Sequence, residues 1–328
     1  MNIPATAFWT TGPGQGAIHG ETLRAPGKDE VLVRTLASGI SRGTERLVFH
    51  GQVPEGEWAR MRAPLQSGEF PFPVKYGYAA VGVVEDGPEE WIGQRVFCLH
   101  PHQDCFVAPL SLCAIVPDNV PEWRAVLAAN METALNIIWD AQPLPGERAL
   151  VVGAGVVGLL AAWLLSRIPA MDLVVIDPDP QRGPVAQRLG LRFAAPDDAP
   201  MGRDLIIHAS GHPEGLRTAL RCAGFEARII EASWFGGTEC TLPLGGAFHA
   251  NRVTIRSSQV GQVAPAMRGR RSHAERLALA LSLLADQALD ALCGPVIPFA
   301  ELPRAMPSLL GDPVEGQAAP LCPVVTYQ

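Results

Sequence analysis

Short apolar runs, many of them β-branched, alternate with turn-forming residues over the first 130 residues of the chain. Glycine and proline are frequent between the runs, so each run is long enough for a strand and too short for a helix. The pattern predicts an irregular β-barrel in this part of the chain. Its predicted strands are Val31–Val33, Val81–Val84, Arg95–Leu99 and Ala114–Val116.

The pattern changes near Ala125, where a helical stretch, Ala125–Trp139, continues without interruption until Pro143. Beyond it, short apolar runs alternate with segments of helical length, of which Leu216–Cys222 is the clearest. Strands that alternate with helices predict a parallel, doubly wound sheet. The predicted strands of this sheet are Leu150–Val152, Leu173–Asp177, Asp204–His208, Ala227–Ala232 and Arg252–Arg256.

The alternation of strands and helices ends after Gln262. A helix with an apolar face is predicted over Arg276–Leu284, and the runs Pro295–Phe299 and Val324–Tyr327 have the composition of strands. We expect these two strands to return to the first region of the chain. With 328 residues, about twice the usual domain size, the chain is expected to form two domains of an α/β protein.

Composition argues against several classes of protein. The apolar share of 48% and the charged share of 18% are those of a globular protein. A net charge of −7 with no basic cluster beyond Arg268, Arg270 and Arg271, which we interpret as a loop, predicts no nucleic-acid partner. The apolar run Leu159–Leu165 is much shorter than the roughly 20 residues that span a bilayer, so no membrane contact is predicted. Seven cysteines without paired spacing, and no secretory leader, predict reduced thiols in a cytoplasmic protein.

A glycine-rich turn follows the first strand of the predicted sheet and precedes the apolar helix. In this context the triplet Gly153, Gly155 and Gly158 is typical of a dinucleotide-binding Rossmann unit. The first glycine permits the tight turn, the second lets the backbone approach a pyrophosphate, and the third lets the helix pack on the sheet. The amides of Val156 and Val157 are then expected to face the phosphates at the positive end of the helix.

An acidic residue, Asp177, lies nineteen residues beyond Gly158, at the end of the next predicted strand. A carboxylate there accepts hydrogen bonds from the ribose hydroxyls of NAD and repels the additional phosphate of NADP. NAD is therefore the predicted cofactor. Because Arg182 lies close in sequence, NADP stays possible.

Five local stretches carry a resemblance to the medium-chain dehydrogenase/reductase superfamily, and the resemblance covers essentially the whole chain. These stretches are Ser38-Gly39-Ile40, Gly43-Thr44-Glu45, Gly77-Tyr78-Ala79-Ala80-Val81-Gly82, Gly93-Gln94-Arg95-Val96 and Thr133-Ala134. The first two, read on through Leu47, look most like the branch with the dehydrogenase of the hydroxyethyl side chain in bacteriochlorophyllide synthesis. The segment Val53–Phe70 departs from that enzyme, so its substrate is not carried over.

The departures from the zinc-dependent members of this superfamily concern their metal ligands. Ser41 and Arg42 stand where those enzymes have a cysteine, and Tyr78 and Ala79 stand where they have histidine and glutamate. The lobe that carries four cysteines and a structural zinc is also missing. Because serine and tyrosine do not supply a comparable zinc site, the sequence predicts neither metal nor zinc cofactor.

One cluster of donor residues, Cys98, His100, His102 and Cys105, leaves a metal possible. Spaced as in a strand, the first three side chains would lie on one face about 7 Å apart, which is too far for a tetrahedral shell. We therefore predict structural or substrate-lining roles for them.

Hydride transfer to or from a carbonyl places negative charge on oxygen, which hydrogen-bond donors must stabilise if no metal does. The resemblance implies Tyr78, Thr44 and Arg42 as the candidate catalytic residues. Tyr78 could be donor and acid together if a cation lowered its pKa from about 10, or it could simply fill the space left by the metal. We expect Glu45 to pair with Arg46 or Arg95.

The resemblance also implies which residues approach the nicotinamide. The first is Thr133. Ser210 and Gly211 follow the strand that ends at His208, and Ser258 and Gln259 belong to the loop Ser257–Gly261. His208 and His212 flank the pair Ser210 and Gly211, and we interpret both histidines as packing or capping residues.

The resemblance predicts a GroES-like β-barrel catalytic domain, residues 1–132 and 264–328, and a Rossmann doubly wound cofactor domain, residues 133–263, with the active site in the cleft between them. The predicted reaction is metal-independent oxidation of a secondary alcohol or its reverse. Reduction of a conjugated carbon–carbon double bond, and a non-catalytic redox sensor, are the alternatives. A small apolar or aromatic substrate and a homodimer are expected. The aromatic residues behind the substrate prediction are Trp9, Phe49, Trp58, Phe70, Phe72 and Tyr76.

Overall fold

The computed structural model describes residues 2–312 and 319–327. The chain divides into two compact units, one formed by Met1–Ala129 with Leu277–Gln328 and the other by Asn130–Arg276. Both points of division fall inside helices, Ala128–Ala141 and His273–Leu283. Strands and helices are numbered below in chain order, and each unit is described by itself.

The first unit consists mainly of antiparallel strands. Those before the second unit are β1 (Ile3–Gly12), β2 (Gln15–Leu23), β3 (Glu30–Gly39), β4 (Ser67–Gly68), β5 (Val74–Lys75), β6 (Ala80–Asp86), β7 (Arg95–Cys98), β8 (Cys105–Pro109) and β9 (Cys113–Ile115). Two further strands, β16 (Cys293–Pro298) and β17 (Cys322–Thr326), follow the second unit.

These strands form two sheets. One has the order β2–β1–β5–β4, and the other has the order β16–β17–β3–β6–β7–β9, with β8 paired to β3. Strand β17 pairs antiparallel with β3, with Val324 opposite Gly39, which confirms that the last predicted strand returns to the first region. The second sheet buries a core that includes Val31, Val33, Val96 and Phe106.

The helices of the first unit are α1 (Arg42–Phe49), α2 (Trp58–Met61), α3 (Glu122–Ala125) and α9 (Leu302–Leu310). The continuous helix predicted over Ala125–Trp139 is wrong at its start, because Leu127 donates to the carbonyl of Arg124 in a tight turn that closes α3. Helix α4 (Ala128–Ala141) begins after this turn.

The second unit contains the predicted parallel sheet. Its strands are β10 (Arg148–Val152), β11 (Asp172–Ile176), β12 (Phe193–Ala194), β13 (Arg203–His208), β14 (Ala223–Glu231) and β15 (Thr254–Ser257). Its helices, besides α4, are α5 (Val156–Leu165), α6 (Arg182–Arg188) and α7 (Pro213–Cys222), and α8 (His273–Leu283) begins within it.

The order of this sheet is β12–β11–β10–β13–β14–β15, and its strand pairs are parallel. This is the order of the Rossmann fold, in which the direction of winding reverses between β10 and β13. In such sheets ligands bind outside the carboxyl ends of the strands at the point of reversal. The fold therefore places the glycine turn after β10 where a dinucleotide site is expected.

Two predictions from composition can be compared with this structure. All seven cysteines lie in described residues, and each is a free thiol. Within residues 2–312 and 319–327, no helix combines the length and the apolar character needed to cross a bilayer.

Candidate functional site

The turn between β10 and α5 requires glycine at two positions. Gly153 has a φ of 106°, and a Cβ on it would lie 2.7 Å from the backbone nitrogen of Ser210. A Cβ on Gly158 would lie 1.9 Å from the carbonyl oxygen of Gly153, so the helix packs directly on the turn. These contacts match the tight turn and the close packing expected of the first and third glycines.

The second glycine of the turn has different surroundings. A Cβ on Gly155 would meet no heavy atom of the protein within 4 Å, so the space beside it is open. Val156 and Val157 follow as the first residues of α5, and amides in the first turn of a helix have no partner within the helix. An open space beside helix N-terminal amides is what a pyrophosphate site requires, and the binding itself stays a prediction.

Asp177 is fixed beside the glycine turn. It follows β11 directly, and its Oδ2 accepts a hydrogen bond of 2.7 Å from the amide of Ala154. Its Oδ1 accepts a bond of 2.9 Å from the amide of Asp179. Each carboxylate oxygen has a second lone pair, so Asp177 keeps the capacity to accept hydrogen bonds from ribose hydroxyls. The nearby cation Arg182 pairs with Asp179 at 3.5 Å.

The turn after β13 is held by a buried histidine. His208 is fully buried, its Nδ1 lies 2.7 Å from Oε2 of Glu231, and its Nε2 lies 2.6 Å from Oγ of Ser210. The amide of Gly211 donates to Oγ of Ser233 at 3.0 Å. His212 caps α7 by accepting from the amide of Glu214, as predicted for a capping residue. His208 is buried as predicted, and its hydrogen bonds orient Ser210.

Three residues expected near the nicotinamide lie on α4 and on the loop after β15. Ser258 donates to Oδ2 of Asp140 at 2.7 Å, and the carbonyl of Gln259 accepts from the side chain of Asn136 at 3.4 Å. Thr133 lies one turn before Asn136 on the same helix. A cavity of ≈ 210 Å³ opens beside this loop. Its lining residues are Asp140, Arg256, Ser257, Gln259, Gln262, Val263, Ala264, Pro265 and Arg268.

A buried arginine, which the sequence did not indicate, fixes the other side of this loop. Arg276 is only 1% exposed, and its Nε donates to Oε1 of Glu132 at 3.0 Å. Its remaining nitrogens donate to Oδ1 of Asn136 and to the carbonyls of Val260 and Gln262. Burial raises the pKa of Glu132, and the guanidinium of Arg276 opposes that shift.

In the first unit the structure brings two of the predicted catalytic residues together. The hydroxyl of Tyr78 lies within hydrogen-bonding reach of the side chains of Ser41 and Thr44, at the start of α1. Burial of the phenol, and secondarily the carboxylate of Glu45, raises the pKa of Tyr78 to about 12. The lowering by a neighbouring cation that an acid role would need is therefore not found, and the phenol stays protonated near neutral pH.

Arg42, the third predicted catalytic residue, is engaged elsewhere. Its Nε donates to the carbonyl of Leu309 at 3.0 Å, and its Nη2 donates to the carbonyl of Gly311 at 2.6 Å. Cations interact favourably with the carbonyls at the end of a helix, here α9. The side chain of Arg42 thus connects α1 to α9, and its catalytic role stays a prediction.

The predicted pairing of Glu45 with Arg46 or Arg95 is wrong. Glu45 instead lies 2.9 Å from Nε2 of His102 and accepts a bond of 2.7 Å from the amide of Ser41. Arg46 pairs with Asp312, and Arg95 donates to backbone carbonyls that include that of Val120. Arg46 pairs with an exposed carboxylate and Arg95 with backbone carbonyls, whereas Glu45 is buried beside a histidine.

The side chains of Cys98, His100, His102 and Cys105 do not share one environment. β7 ends at Cys98, so the strand spacing assumed for the histidines does not continue to them. The ring of His100 stacks on Phe106 at 3.9 Å, and burial lowers its pKa to about 3. Among residues 2–312 and 319–327, no three His, Cys, Asp or Glu side chains come together as a metal site. Ser41 and Tyr78, which the resemblance aligns with zinc ligands of the zinc-dependent dehydrogenases, do not supply the donors that this metal prefers.

Most of the aromatic residues expected to contact a substrate are core residues. Phe49, Phe70 and Tyr76 are buried, and Trp58 packs against the cluster that contains the last two. The ring of Tyr78 meets that of Tyr76 edge to face at 6.0 Å. These aromatic residues therefore pack in the core, where Tyr76 contacts Tyr78, and they give little information about a ligand.

Comparisons with known proteins agree with this architecture. No protein-family model matches the chain. An uncharacterized zinc-type alcohol dehydrogenase-like protein of Haemophilus influenzae is 27% identical over 225 residues, which are 64% of this chain and 61% of that protein. D-guloside 3-dehydrogenase of Escherichia coli is 25% identical over 283 residues, 75% of this chain and 78% of that enzyme.

Solved structures resemble the whole chain. A short chain alcohol dehydrogenase from Escherichia coli CFT073, crystallised with NADH, superimposes with a TM-score of 0.78 at 18% sequence identity and covers 99% of each chain. The chain thus has the two-domain α/β fold of the alcohol dehydrogenases, a GroES-like barrel with a Rossmann unit, and sequence similarity relates it to zinc-type alcohol dehydrogenase-like proteins.

Proposed function

We propose that the chain is a nicotinamide-dependent oxidoreductase of the medium-chain group that oxidises a secondary alcohol, or reduces the ketone, without a catalytic metal. The observation that carries this proposal is the cluster of hydroxyls formed by Tyr78, Thr44 and Ser41. By the sequence resemblance, Ser41 and Tyr78 stand at positions that supply metal ligands in the zinc-dependent members. When bound, the nicotinamide would accept the hydride from the carbinol carbon, or return it to the carbonyl.

Within this proposal the chain stabilises the charge that develops on the substrate oxygen. Because its pKa is raised to about 12, Tyr78 is a neutral phenol that can donate a hydrogen bond to that oxygen, and the hydroxyl proton released during oxidation would pass to solvent. The hydroxyls of Thr44 and Ser41 lie near the phenol and would orient it. Since ionisation would begin only above about pH 11, we expect no loss of activity from Tyr78 in the neutral or mildly alkaline range.

The second unit would bind the cofactor. The pyrophosphate would lie against the amides of Val156 and Val157 in the space beside Gly155, with the adenosine ribose on Asp177. Thr133, Ser210, Gly211, Ser258 and Gln259 would adjoin the nicotinamide. Because Arg182 is paired with Asp179, we infer that NAD is preferred over NADP.

Replacing the phenol tests the catalytic part of the proposal. A Tyr78→Phe variant is expected to lose about 100- to 1000-fold in kcat, the usual effect of removing one donor to a developing oxyanion. NADH affinity should not change. The assay follows NADH during oxidation of a panel of secondary alcohols, polyols and aromatic carbinols, with the corresponding ketones and enones in reverse.

Tyr76→Phe is the matched control, because the hydroxyl of Tyr76 donates to the carbonyl of Met61 in the adjoining core. Its turnover should equal that of the parent. A Tyr78→Phe variant as active as the parent would contradict the catalytic role of the phenol. Turnover of enones alone would favour double-bond reduction, and tight NADH binding with no turnover would favour a redox sensor.

The more detailed parts of the proposal rest on the resemblance. They are the zinc-lacking branch near the hydroxyethyl bacteriochlorophyllide dehydrogenase, the homodimer and the cytoplasmic location. The proteins named above include a D-guloside 3-dehydrogenase and an alcohol dehydrogenase, so the panel contains polar as well as apolar substrates.

A further inference from the structure

We propose that His102 is a positioning residue of the hydride-transfer site, and that it acts through Glu45 on the hydroxyl cluster of Ser41, Thr44 and Tyr78. This inference rests on the proposed function and names a residue to which that function assigns no part. The contacts that carry it all lie within the first unit.

The hydrogen bonds of His102 use both ring nitrogens. His102 is 1% exposed, with Nδ1 2.7 Å from Oγ of Ser38 on β3 and Nε2 2.9 Å from Oε2 of Glu45 on α1. Oγ of Ser38 also lies 2.8 Å from the hydroxyl of Tyr327, after β17. The ring therefore bridges a strand of the sheet and the helix that carries Thr44.

The hydrogen-bonding capacity of the partners relates the directions of these two bonds to each other. When Glu45 is a carboxylate it only accepts, and Nε2 of His102 is then the donor of their hydrogen bond. In the neutral ring Nδ1 then accepts, and the hydroxyl of Ser38 donates to it.

The carboxylate of Glu45 connects His102 to the residue before α1, Ser41. Glu45 is 3% exposed, and its other oxygen accepts the amide of Ser41 at 2.7 Å. Each carboxylate oxygen thus has a specific donor, one of them four residues earlier in the chain and the other 57 residues later. Without Nε2 of His102, the buried Oε2 of Glu45 would lose its hydrogen-bond partner, which costs free energy unless Glu45 moves.

A movement of Glu45 would change the surroundings of Tyr78 in two ways. Ser41, whose amide Glu45 holds, is also a hydrogen-bonding neighbour of the phenol, and the charge of Glu45 acts directly on it. Besides Glu45, the thiol of Cys322 on β17 acts on the phenol of Tyr78, and the phenol in turn acts on Tyr76 in the same loop. His102 would thus fix the orientation of the phenol without touching the substrate.

Two substitutions of His102 separate its two hydrogen bonds. His102→Gln can keep a donor near the position of Nε2, toward Glu45, whereas His102→Asn places its polar atoms near Nδ1, toward Ser38. We expect kcat to fall about 10- to 100-fold in His102→Asn, as is usual when a supporting hydrogen bond is lost, and to be largely rescued in His102→Gln. His100→Gln, which removes a buried histidine stacked on Phe106, is the matched control and should retain the parent kcat.

A spectroscopic measurement reads the position of Tyr78 without turnover. The chain has three tyrosines, so protein grown with 3-fluorotyrosine gives three ¹⁹F signals, of which Tyr78→Phe identifies one. We expect His102→Asn to move the Tyr78 signal while His102→Gln and His100→Gln leave it in place. Glu45→Gln should lower the pKa at which this signal titrates, since it removes the repelling charge.

These readouts separate the two proposals. If no substrate turns over, the proposed function fails, and the ¹⁹F signals still decide the position of Tyr78. If His102→Asn does not fold, the Glu45→Gln variant decides, with NADH affinity as the check on the rest of the chain. A parent-like kcat in a folded His102→Asn variant, or an unmoved Tyr78 signal in it, would overturn the inference. So would a Tyr78 pKa unchanged in Glu45→Gln.

Discussion

A Gly155→Glu variant is expected to lose NADH affinity by about 1000-fold or more, equivalent to about 4 kcal/mol of binding free energy. The added carboxylate would project into the open space beside Gly155, where the pyrophosphate is proposed to lie. It would remove that space and place a negative charge beside two phosphates, at the helix end that favours anions. Titration of the variant with NADH, followed by tryptophan fluorescence, measures the loss.

The same site supplies the control for that variant. Because a Cβ on Gly155 meets no protein atom within 4 Å, the substitution should not unfold the second unit, and the thermal midpoint should stay near that of the parent. Gly155→Ala adds a methyl group without charge and should bind NADH more tightly than Gly155→Glu. Equal affinity in the parent and in a folded Gly155→Glu protein would show that the cofactor does not lie on this turn.

An Arg276→Ala variant is expected to lose about 3–5 kcal/mol in the free energy of unfolding, the usual cost of removing one partner from a buried ion pair. Arg276 and Glu132 are 1% and 7% exposed, so water cannot replace the lost guanidinium readily. The substitution leaves the carboxylate of Glu132 and the carbonyls of Val260 and Gln262 without this donor. Urea denaturation followed by circular dichroism measures the change.

An exposed ion pair provides the control for the Arg276→Ala variant. Arg148, at the start of β10, pairs with Asp204 on β13, and its side chain is 54% exposed. Solvent screens such pairs, so Arg148→Ala should leave the denaturation midpoint close to that of the parent. If the two variants were equally stable, the buried network around Arg276 would have no special part in holding the loop Ser257–Gly261.

The parallel sheet and its glycine turn could be predicted because their determinants are local. The strand before Gly153, the three glycines and the apolar helix after them follow one another directly, and Asp177 stands at the end of the next strand. Steric limits on the backbone act at Gly153 and Gly158 whatever the rest of the chain does. The hairpin of β1 and β2 was not predicted, because several positions of β2 are only partly buried and its alternation is weak.

The partners of the charged side chains could not be predicted, because they depend on contacts far apart in the sequence. Glu45 had Arg46 beside it, yet its partner His102 lies 57 residues away. Arg276 and Glu132 are 144 residues apart, and neither position belongs to a motif. The burial of Glu45 and of Arg276 decides these pairs, and burial follows from the tertiary fold. The one local indication was the unusual density of histidine between Cys98 and Cys105.

Calorimetric titration of the parent protein with NADH and then with NADPH tests the central claim most directly. The account predicts saturable binding of NADH in a one-to-one ratio and weaker binding of NADPH, because the carboxylate of Asp177 would repel the additional phosphate. Absence of heat with both nucleotides, in protein shown to be folded, would contradict the account.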